Sequence, residues 1–535
     1  MVKIAKLFGP PGTGKTRYMK RQVVKDMKEK YYPSAVGAVS LTNAAVDELK
    51  SRVKDEIDNE PEYVRNIATI HSHCFGLLGI KRDQVADTPK RIKEFSETYP
   101  EFAFNPDRSK AEDGELYSTE SMRLSRNNML YSFMNLYRNK QIHEREWNNE
   151  VIEFRNKWES FCFENDFIDY TGMIERCLDA RLTPNIRALY VDEFQDTSNL
   201  ASSLIKMWAE SCDKLVVIGD VDQCIYEFAG ADPSVMLSMR ADFDNTSQDS
   251  KILKKSYRVA PNIHRYAVKI IEKSFGRQSI EYYPSDRYGD GDVFECQMPE
   301  LPDIYDDETT LILTRCNYHT TKWTQLLYEK GIPFSNPWRP SEKRWNPCDT
   351  KSWKAAKTYY EITDFSNVNP DFDPEITWSD LKIMTEKCKA KTACPGWKTR
   401  VLELPTKKDR KIRKSELQNY GFTYEFINRL GPLDDFFKFT GKAQDLIRKV
   451  DLFPYKEIFS EPPKVFVGTI HSVKGGEADN VYIDAQLSPK IKKALNGNNR
   501  ISTYNTEYRI AYVAATRARK KLGIMNNDGS IYERI

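Results

Sequence analysis

Near the start of the chain, Gly9-Pro10-Pro11-Gly12-Thr13-Gly14-Lys15-Thr16 spaces two glycines, a lysine and a hydroxyl as G-x-x-x-x-G-K-T. Set between a strand and a helix, such a loop turns its backbone N–H groups and the helix N-terminus toward a phosphate chain. Lys15 would meet the β and γ oxygens, and Thr16 could hold Mg²⁺. A metal-bound phosphate also needs a carboxylate at the end of a neighbouring strand. The stretch ALYVDEFQDTS supplies Asp192 and Glu193 directly after an apolar run. Asp192 suits the Mg²⁺. Glu193 suits a base that orients and deprotonates water, which is the chemistry of triphosphate hydrolysis and not of nucleotide storage.

Strands are needed to present these groups. Runs at Lys3 to Phe8, Ala35 to Thr42, Ile67 to Ile70, Ala188 to Val191 and Leu215 to Ile218 alternate with helical stretches opening at Lys15 and Asn43. That order predicts βαβ units and a parallel sheet. A long polar helical stretch, roughly 88 to 180, reads as an insertion. A second set of strands is expected at Lys251 to Leu253, Asp292 to Cys296, Thr310 to Thr314, Val465 to Thr469 and Val481 to Asp484, with a helix from Asn317 to Lys330. It is interrupted from about Pro337 to Pro463 by a stretch whose Trp338, Trp345, Trp353, Trp378 and Trp397 are expected to form the insertion's core. At 535 residues the chain has length for several domains.

The formal net charge is only +3 with 30% charged residues, so any nucleic-acid site must be a local groove and not an overall basic field. No run reaches the roughly 18 apolar residues of a membrane span, and the start lacks a secretion signal's apolar core. A cytoplasmic protein without a membrane partner is expected. The ten cysteines are scattered, and Cys348, Cys388 and Cys394 lack zinc-ligand spacing, so reduced thiols are expected.

VDEFQDTS followed by VIGDVDQCIYEFAGADP resembles the second and third motifs of the UvrD/Rep family of superfamily one DNA helicases. SLTNAAVDELKSRV (40–53), TIHSHCF (69–75), KKSYRVAPNI (254–263), TIHSVKGGEADNV (469–481) and EYRIAYVAATRARKKL (507–522) then follow in the family's order. The resemblance implies an α/β fold of two RecA-like P-loop domains with parallel sheets, each interrupted by a mainly helical or irregular insertion. The boundaries read from the sequence are 1–87 and 181–236 for the first domain, 88–180 for its insertion, 237–337 and 462–535 for the second, and 338–461 for its insertion. The implied activity is ATP-dependent, Mg²⁺-requiring movement 3′ to 5′ along single-stranded DNA with duplex unwinding. ATP would be hydrolysed in the cleft between the two RecA-like domains. The partners are single-stranded DNA and its junction with duplex, and possible loading, replication or repair proteins, for a chain that is a monomer in solution.

Residue roles follow by the same resemblance. Gln223 senses the γ-phosphate, and Arg258 and Arg517, both from the second domain, join Lys15 and Glu193 as arginine fingers, a task that suits a bidentate guanidinium. Arg519, Lys520 and Lys521 read as helix surface charge. Glu477 approaches the ribose, and the base lies between Arg17 and Tyr257. Thr42, Asn43, Thr69, His71, Arg315, Asn317, His471 and Lys474 lie along the strand path. Tyr226 and Phe228 follow Gln223 and offer stacking faces, although alternation leaves Tyr226 open between core and strand.

Several features depart from the family pattern. Leu41 stands where relatives have Phe, and Phe228-Ala229-Gly230 where they have Trp-Arg-Gly. Only eight residues precede the loop and none is the adenine-reading Gln of relatives, so looser base discrimination is expected. Two alternatives stay open. One is a superfamily one RNA or 5′-to-3′ motor, where GPPGTGKT is frequent but DQCIYEF is foreign. The other is a nucleotide-switched clamp that does not unwind. LSPKIKKALNGNNRISTYNTE lies where relatives place a duplex-splitting hairpin and offers Leu487 or Tyr504. KKDRKIRK (407–414) is open between duplex phosphates and a solvated face.

Overall fold

The computed structural model describes residues 2–40, 43–57, 60–105, 119–239, 252–296, 308–339, 345–363, 373–403, 410–439, 442–452 and 462–534, with backbone only at 43–44, 119–125, 400, 442–443 and 450–452. Contacts divide the chain into two compact units, Met1–Gly291 with Lys490–Thr516, and Asp292–Pro489 with Arg517–Ile535.

The first unit holds β1 (Lys3–Phe8), β2 (Val36–Val39), β3 (Ile67–Ala68), β4 (Ala188–Val191) and β5 (Lys214–Gly219), all parallel in the order β1-β5-β4-β2-β3. Continuous apolar runs suit strands covered on both faces. Alternate residues of β5 confirm the two faces. Val216 and Ile218 pack with Met19, Val23 and Val46, while Leu215 and Val217 pack with Leu204, Trp208 and Met173.

β3 is shorter than expected because Thr69 turns the chain into the helix Ile70–Leu78, its hydroxyl accepting from Ser72 N at 3.2 Å. The strand expected at Lys251–Leu253 is, over its described residues, a single bridge from Ile252 to Phe8, with Leu253 N donating to Phe8 O at 2.8 Å. It covers the open edge of β1 in the first unit and does not join the second sheet.

The insertion between β3 and β4 carries the helices Pro89–Thr98, Thr119–Lys140, Asn149–Glu164 and Tyr170–Asp179. Phe95, Phe104, Phe154 and Trp158 form its core. Arg138 ties two of these helices together, donating to Asp169 Oδ2 at 2.6 Å and to Glu175.

The second unit has β6 (Asp292–Cys296), β7 (Thr310–Thr314), β8 (Phe334–Ser335), β11 (Val465–Thr469), β12 (Ala478–Asp484) and β13 (Ala518–Met525), parallel in the order β6-β13-β12-β7-β11-β8. Its insertion adds an antiparallel pair, β9 (Glu375–Thr377) and β10 (Lys411–Arg413). Trp345, Trp353, Trp378 and Trp397 are buried, whereas Trp338 is half-buried and lies edge-on to Phe466.

Two readings of the sequence need correction here. The AATRARKK segment does not continue as a helix, because Leu522, Ile524 and Met525 are buried strand residues of β13. Arg519 pairs with Glu477 and Lys520 with Glu308, so neither is merely surface charge. The segment around LNGNN is no β-hairpin. It joins the helices Pro489–Leu495 and Arg500–Ala515, with Leu487 buried and Tyr504 ring-to-ring with Tyr508. All ten cysteines are free thiols. Among the described residues no helix is long and apolar enough to cross a membrane.

Candidate nucleotide site and strand contacts

The phosphate loop leaves β1 at its C-terminal end and enters the helix Lys15–Glu29. Gly12 and Gly14 sit at φ 72° and 83°, the left-handed region that favours glycine. Gly14 is the helix N-cap and has no side chain to cap with, which leaves the first backbone N–H groups turned toward the loop. Lys15 is buried and folds back to donate from Nζ to Gly9 O at 2.7 Å. A Cβ on Gly9 would fall 2.6 Å from the Lys15 side chain, so glycine is what lets the lysine lie over the loop.

Acidic groups gather at the C-terminal ends of the adjoining strands, where parallel sheets bind ligands. Beyond β4, Thr16 Oγ1 donates to Asp192 Oδ2 at 3.3 Å. Burial and the neighbouring Glu193 push the Asp192 carboxyl up to about 7. Glu193 itself holds a left-handed backbone, φ 50°, an uncommon conformation for a residue with a side chain. Beyond β5, Asp220 accepts at Oδ2 from Gln223 Nε2 at 2.7 Å and at Oδ1 from Asp222 N at 3.1 Å.

One residue of this cluster was missed by sequence reasoning. Gln195 is fully buried and bridges the two strand ends. Its amide donates to Glu193 Oε2 at 2.5 Å and its carbonyl accepts from Asp220 N at 3.0 Å. The only available signal was its place two residues after Glu193.

The segment after Leu253 packs directly on the loop. Tyr257 N donates to Gly12 O at 2.8 Å, Ser256 Oγ to Pro11 O at 3.1 Å and Tyr282 Oη to Pro11 O at 2.9 Å. Thus Ser256, Tyr257 and Arg258 belong to the same unit as the loop, and Arg258 Cβ lies 2.7 Å from where a Cβ on Gly12 would sit. Tyr257 is half exposed, with the Arg287 guanidinium 5.3 Å from its ring centre, and Arg17 is exposed on the first turn of the loop's helix.

Of the expected strand contacts in this unit, Thr42 and the side chain of Asn43 lie outside the described residues. Thr69 is buried as a helix cap. His71 is exposed, edge-on to Tyr170 at 5.2 Å. Phe228 is 60% exposed and Tyr226 half-buried, their ring centres 6.1 Å apart. In the second unit, β7 and β11 are paired neighbours, Thr314 opposite Thr469. Arg315 and Asn317 therefore emerge beside His471 and Lys474 at one C-terminal sheet edge. Glu477 pairs with Arg519, and Arg517 is buried, its guanidinium donating to Gly476 O at 3.3 Å. Of the basic run, 407–409 lie outside the described residues. Arg410 stacks on Trp378, and Lys411 and Arg413 pair with Glu375.

Comparison with known proteins adds the following. A model of the UvrD/REP helicase N-terminal domain matches residues 4–244, and a model of the UvrD-like helicase C-terminal domain matches residues 385–529. The ATP-dependent DNA helicase Rep of Buchnera aphidicola is 24% identical over 96% of this chain and 89% of its own length. The ATP-dependent DNA helicase PcrA of Bacillus subtilis is 24% identical over 62% of the chain and 48% of PcrA. A probable DNA helicase II homolog of Mycoplasma genitalium is 24% identical over 50% of the chain and 40% of that protein. The chain spans about half the length, or less, of these last two relatives.

Proposed function

Because the chain belongs to the UvrD/Rep family of helicases, we propose that it is an ATP-dependent DNA helicase moving 3′ to 5′ on single-stranded DNA. The observation that carries the reading is the convergence of three groups at one sheet edge. These are the loop with Lys15, the Thr16–Asp192 pair, and the Glu193–Gln195–Asp220–Gln223 chain of hydrogen bonds.

In this reading the loop's N–H groups and Lys15 hold the phosphates. Glu193, oriented by Gln195, accepts a proton from water as the water oxygen bonds to the γ-phosphorus and the bond to the bridging oxygen of ADP breaks. Oxygen donors from a hydroxyl and a carboxylate suit Mg²⁺, which would be held by Thr16 and Asp192 and would offset phosphate charge. Arg258 and Arg517 are assigned to the charge that develops on the transferred group. Gln223 registers the γ-phosphate, and Phe228, five residues on, stacks on a base. One short stretch thereby links hydrolysis to the strand, taken as single-stranded DNA and its junction with duplex.

Strand displacement on duplexes with 3′ or 5′ tails, run beside DNA-stimulated ATP hydrolysis, tests the reading. The 3′-tailed duplex is expected to be unwound, and Lys15→Ala and Glu193→Gln to abolish both activities. Unwinding from the 5′ tail would reverse the polarity. Stimulated hydrolysis with no displaced strand from either tail would make the protein a clamp.

A further inference from the structure

The stretch Asp220 to Gly230 carries both Gln223 and Phe228, and two of its acidic side chains, Asp222 and Glu227, are anchored to elements built around one helix. Asp222 is buried, and its Oδ2 accepts from Arg277 Nε at 2.7 Å. Glu227 has both oxygens engaged, Oε1 by Arg509 Nη1 at 2.8 Å and Oε2 by Thr506 Oγ1 at 2.6 Å. The turn bearing Arg277 is itself fixed by Asn505, which accepts from Phe275 N at 2.8 Å and donates to Phe275 O at 3.0 Å. Asn505, Thr506 and Arg509 all lie on the helix Arg500–Ala515, within little more than one turn.

Burial and the adjacent Asp220 push the Asp222 carboxyl up to about 7, and the Arg277 guanidinium opposes that rise. Removing the guanidinium leaves a buried acid beside a second acid, so the segment would have to move or take up a proton. Asp222 N donates to Asp220 Oδ1 while Gln223 Nε2 donates to Oδ2, so such a movement passes directly to Gln223.

We infer that Arg277 and Arg509 are positioning residues, Arg277 setting Gln223 through Asp222 and Arg509 setting Phe228 through Glu227. The inference rests on the function proposed above. Neither arginine is asked to touch nucleotide or DNA. The helix Arg500–Ala515 serves as a common post that keeps the phosphate sensor and the stacking ring in a fixed relation.

The test uses the full chain with Arg277→Gln, Arg277→Lys, Arg509→Gln and the double variant Asp222→Asn with Arg277→Gln. ATP hydrolysis is measured against ATP and against an oligothymidylate, and hydrogen exchange is followed across 220–230 in the nucleotide-free protein. Misplacement of a catalytic group by about 1 Å lowers rates on the order of 100-fold, so Arg277→Gln should lose about 10- to 100-fold in stimulated kcat. Its KM for ATP should stay within about twofold, because a positioning defect reached through Gln223 acts on the reacting state and not on nucleotide binding. Arg277→Lys should keep part of the rate. The double variant, a neutral buried pair, should recover most of it.

Arg509→Gln should raise the half-saturating oligothymidylate concentration about tenfold, the equivalent of losing one good stacking contact. Exchange across 220–230 should quicken in both single arginine-to-glutamine variants. The inference is overturned if Arg277→Gln keeps its stimulated kcat within about twofold, or if its loss follows a fall in melting temperature that the double variant does not repair. Should Arg277→Gln not fold, Arg277→Lys and the double variant decide between the same outcomes. A wild-type chain without ATP hydrolysis sinks the helicase reading. Exchange alone then judges the positioning role, and unchanged exchange across 220–230 overturns it.

Discussion

Gln195 has no side chain exposed to solvent, yet both polar atoms of that side chain are engaged at the candidate catalytic edge. Its amide also reaches Asp196 Oδ2 at 3.1 Å. Gln195→Leu would strand the Asp220 N–H and a Glu193 oxygen. At about 1 to 3 kcal/mol for each buried group left unsatisfied, a loss of about 2 to 6 kcal/mol in a urea titration is expected. The same change should cut stimulated hydrolysis at least tenfold, because Glu193 loses the donor that aims it. A variant as stable and active as the wild type would remove Gln195 from the site. Glycines supply a contrasting pair. Gly12→Ala meets both a positive φ and atoms of Ser256 and Arg258 at 2.7 Å, so ATP affinity measured by calorimetry should fall more than tenfold. Gly76, inside the helix Ile70–Leu78, has nothing within 4 Å of a new Cβ. Gly76→Ala should raise stability by about 0.5 to 1 kcal/mol.

Elements are tied together by groups whose ionisation can be followed. Asp87, at the root of the first insertion, accepts from Tyr131 Oη and from Tyr170 N, joining the helices Thr119–Lys140 and Tyr170–Asp179. Burial and the charge of Asp169 push its carboxyl up to about 6. An unfolded aspartate titrates near 3.9. Between about pH 4 and 6 the folded chain therefore binds the extra proton, and stability falls as pH rises through that window. Asp169 acts in the opposite sense. Although burial raises it, the Arg138 guanidinium holds its carboxyl below the usual range, so its contribution is present above about pH 4 and lost below. Asp87→Asn should flatten the slope between about pH 4 and 6 in melting curves and leave the acid limb. An unchanged slope would exclude Asp87 as its source. The same scale explains what the sequence could and could not reveal. Lys15, Thr16, Asp192 and Glu193 were legible because a strand, a turn and a helix start fix them locally. Gln195 and the Asp222–Arg277 pair were not, since their partners lie across strand ends or 55 residues away. Ile252 was assigned to the wrong sheet because a short Lys-Ile-Leu run says nothing about which edge it will cover. The ARKK stretch hid a strand, because charged residues can face outward until Leu522, Ile524 and Met525 enter the sheet.

Across the whole molecule, 81 basic residues nearly balance 78 acidic ones, so the proposed DNA affinity has no long-range field to draw on and would come from local contacts. Among the residues assigned to the strand, only Arg315 and Lys474 carry a fixed positive charge. In the proposed strand path Phe228 and Tyr226 would offer stacking faces and Asn317 a neutral hydrogen bond. Single-stranded DNA releases about 0.7 counterion per phosphate neutralised, so log affinity against log salt should fall with a slope between about −1 and −3. Arg315→Ala and Lys474→Ala should each flatten that slope by about 0.7. Phe228→Ala should weaken binding by about 1 to 3 kcal/mol at every salt concentration and leave the slope alone. Anisotropy titrations of a labelled oligothymidylate from about 50 to 200 mM salt separate the two effects. A slope steeper than about −5 in the wild type would mean that a basic groove elsewhere dominates, and the contacts proposed at Arg315, Lys474 and Phe228 would have to be reassigned.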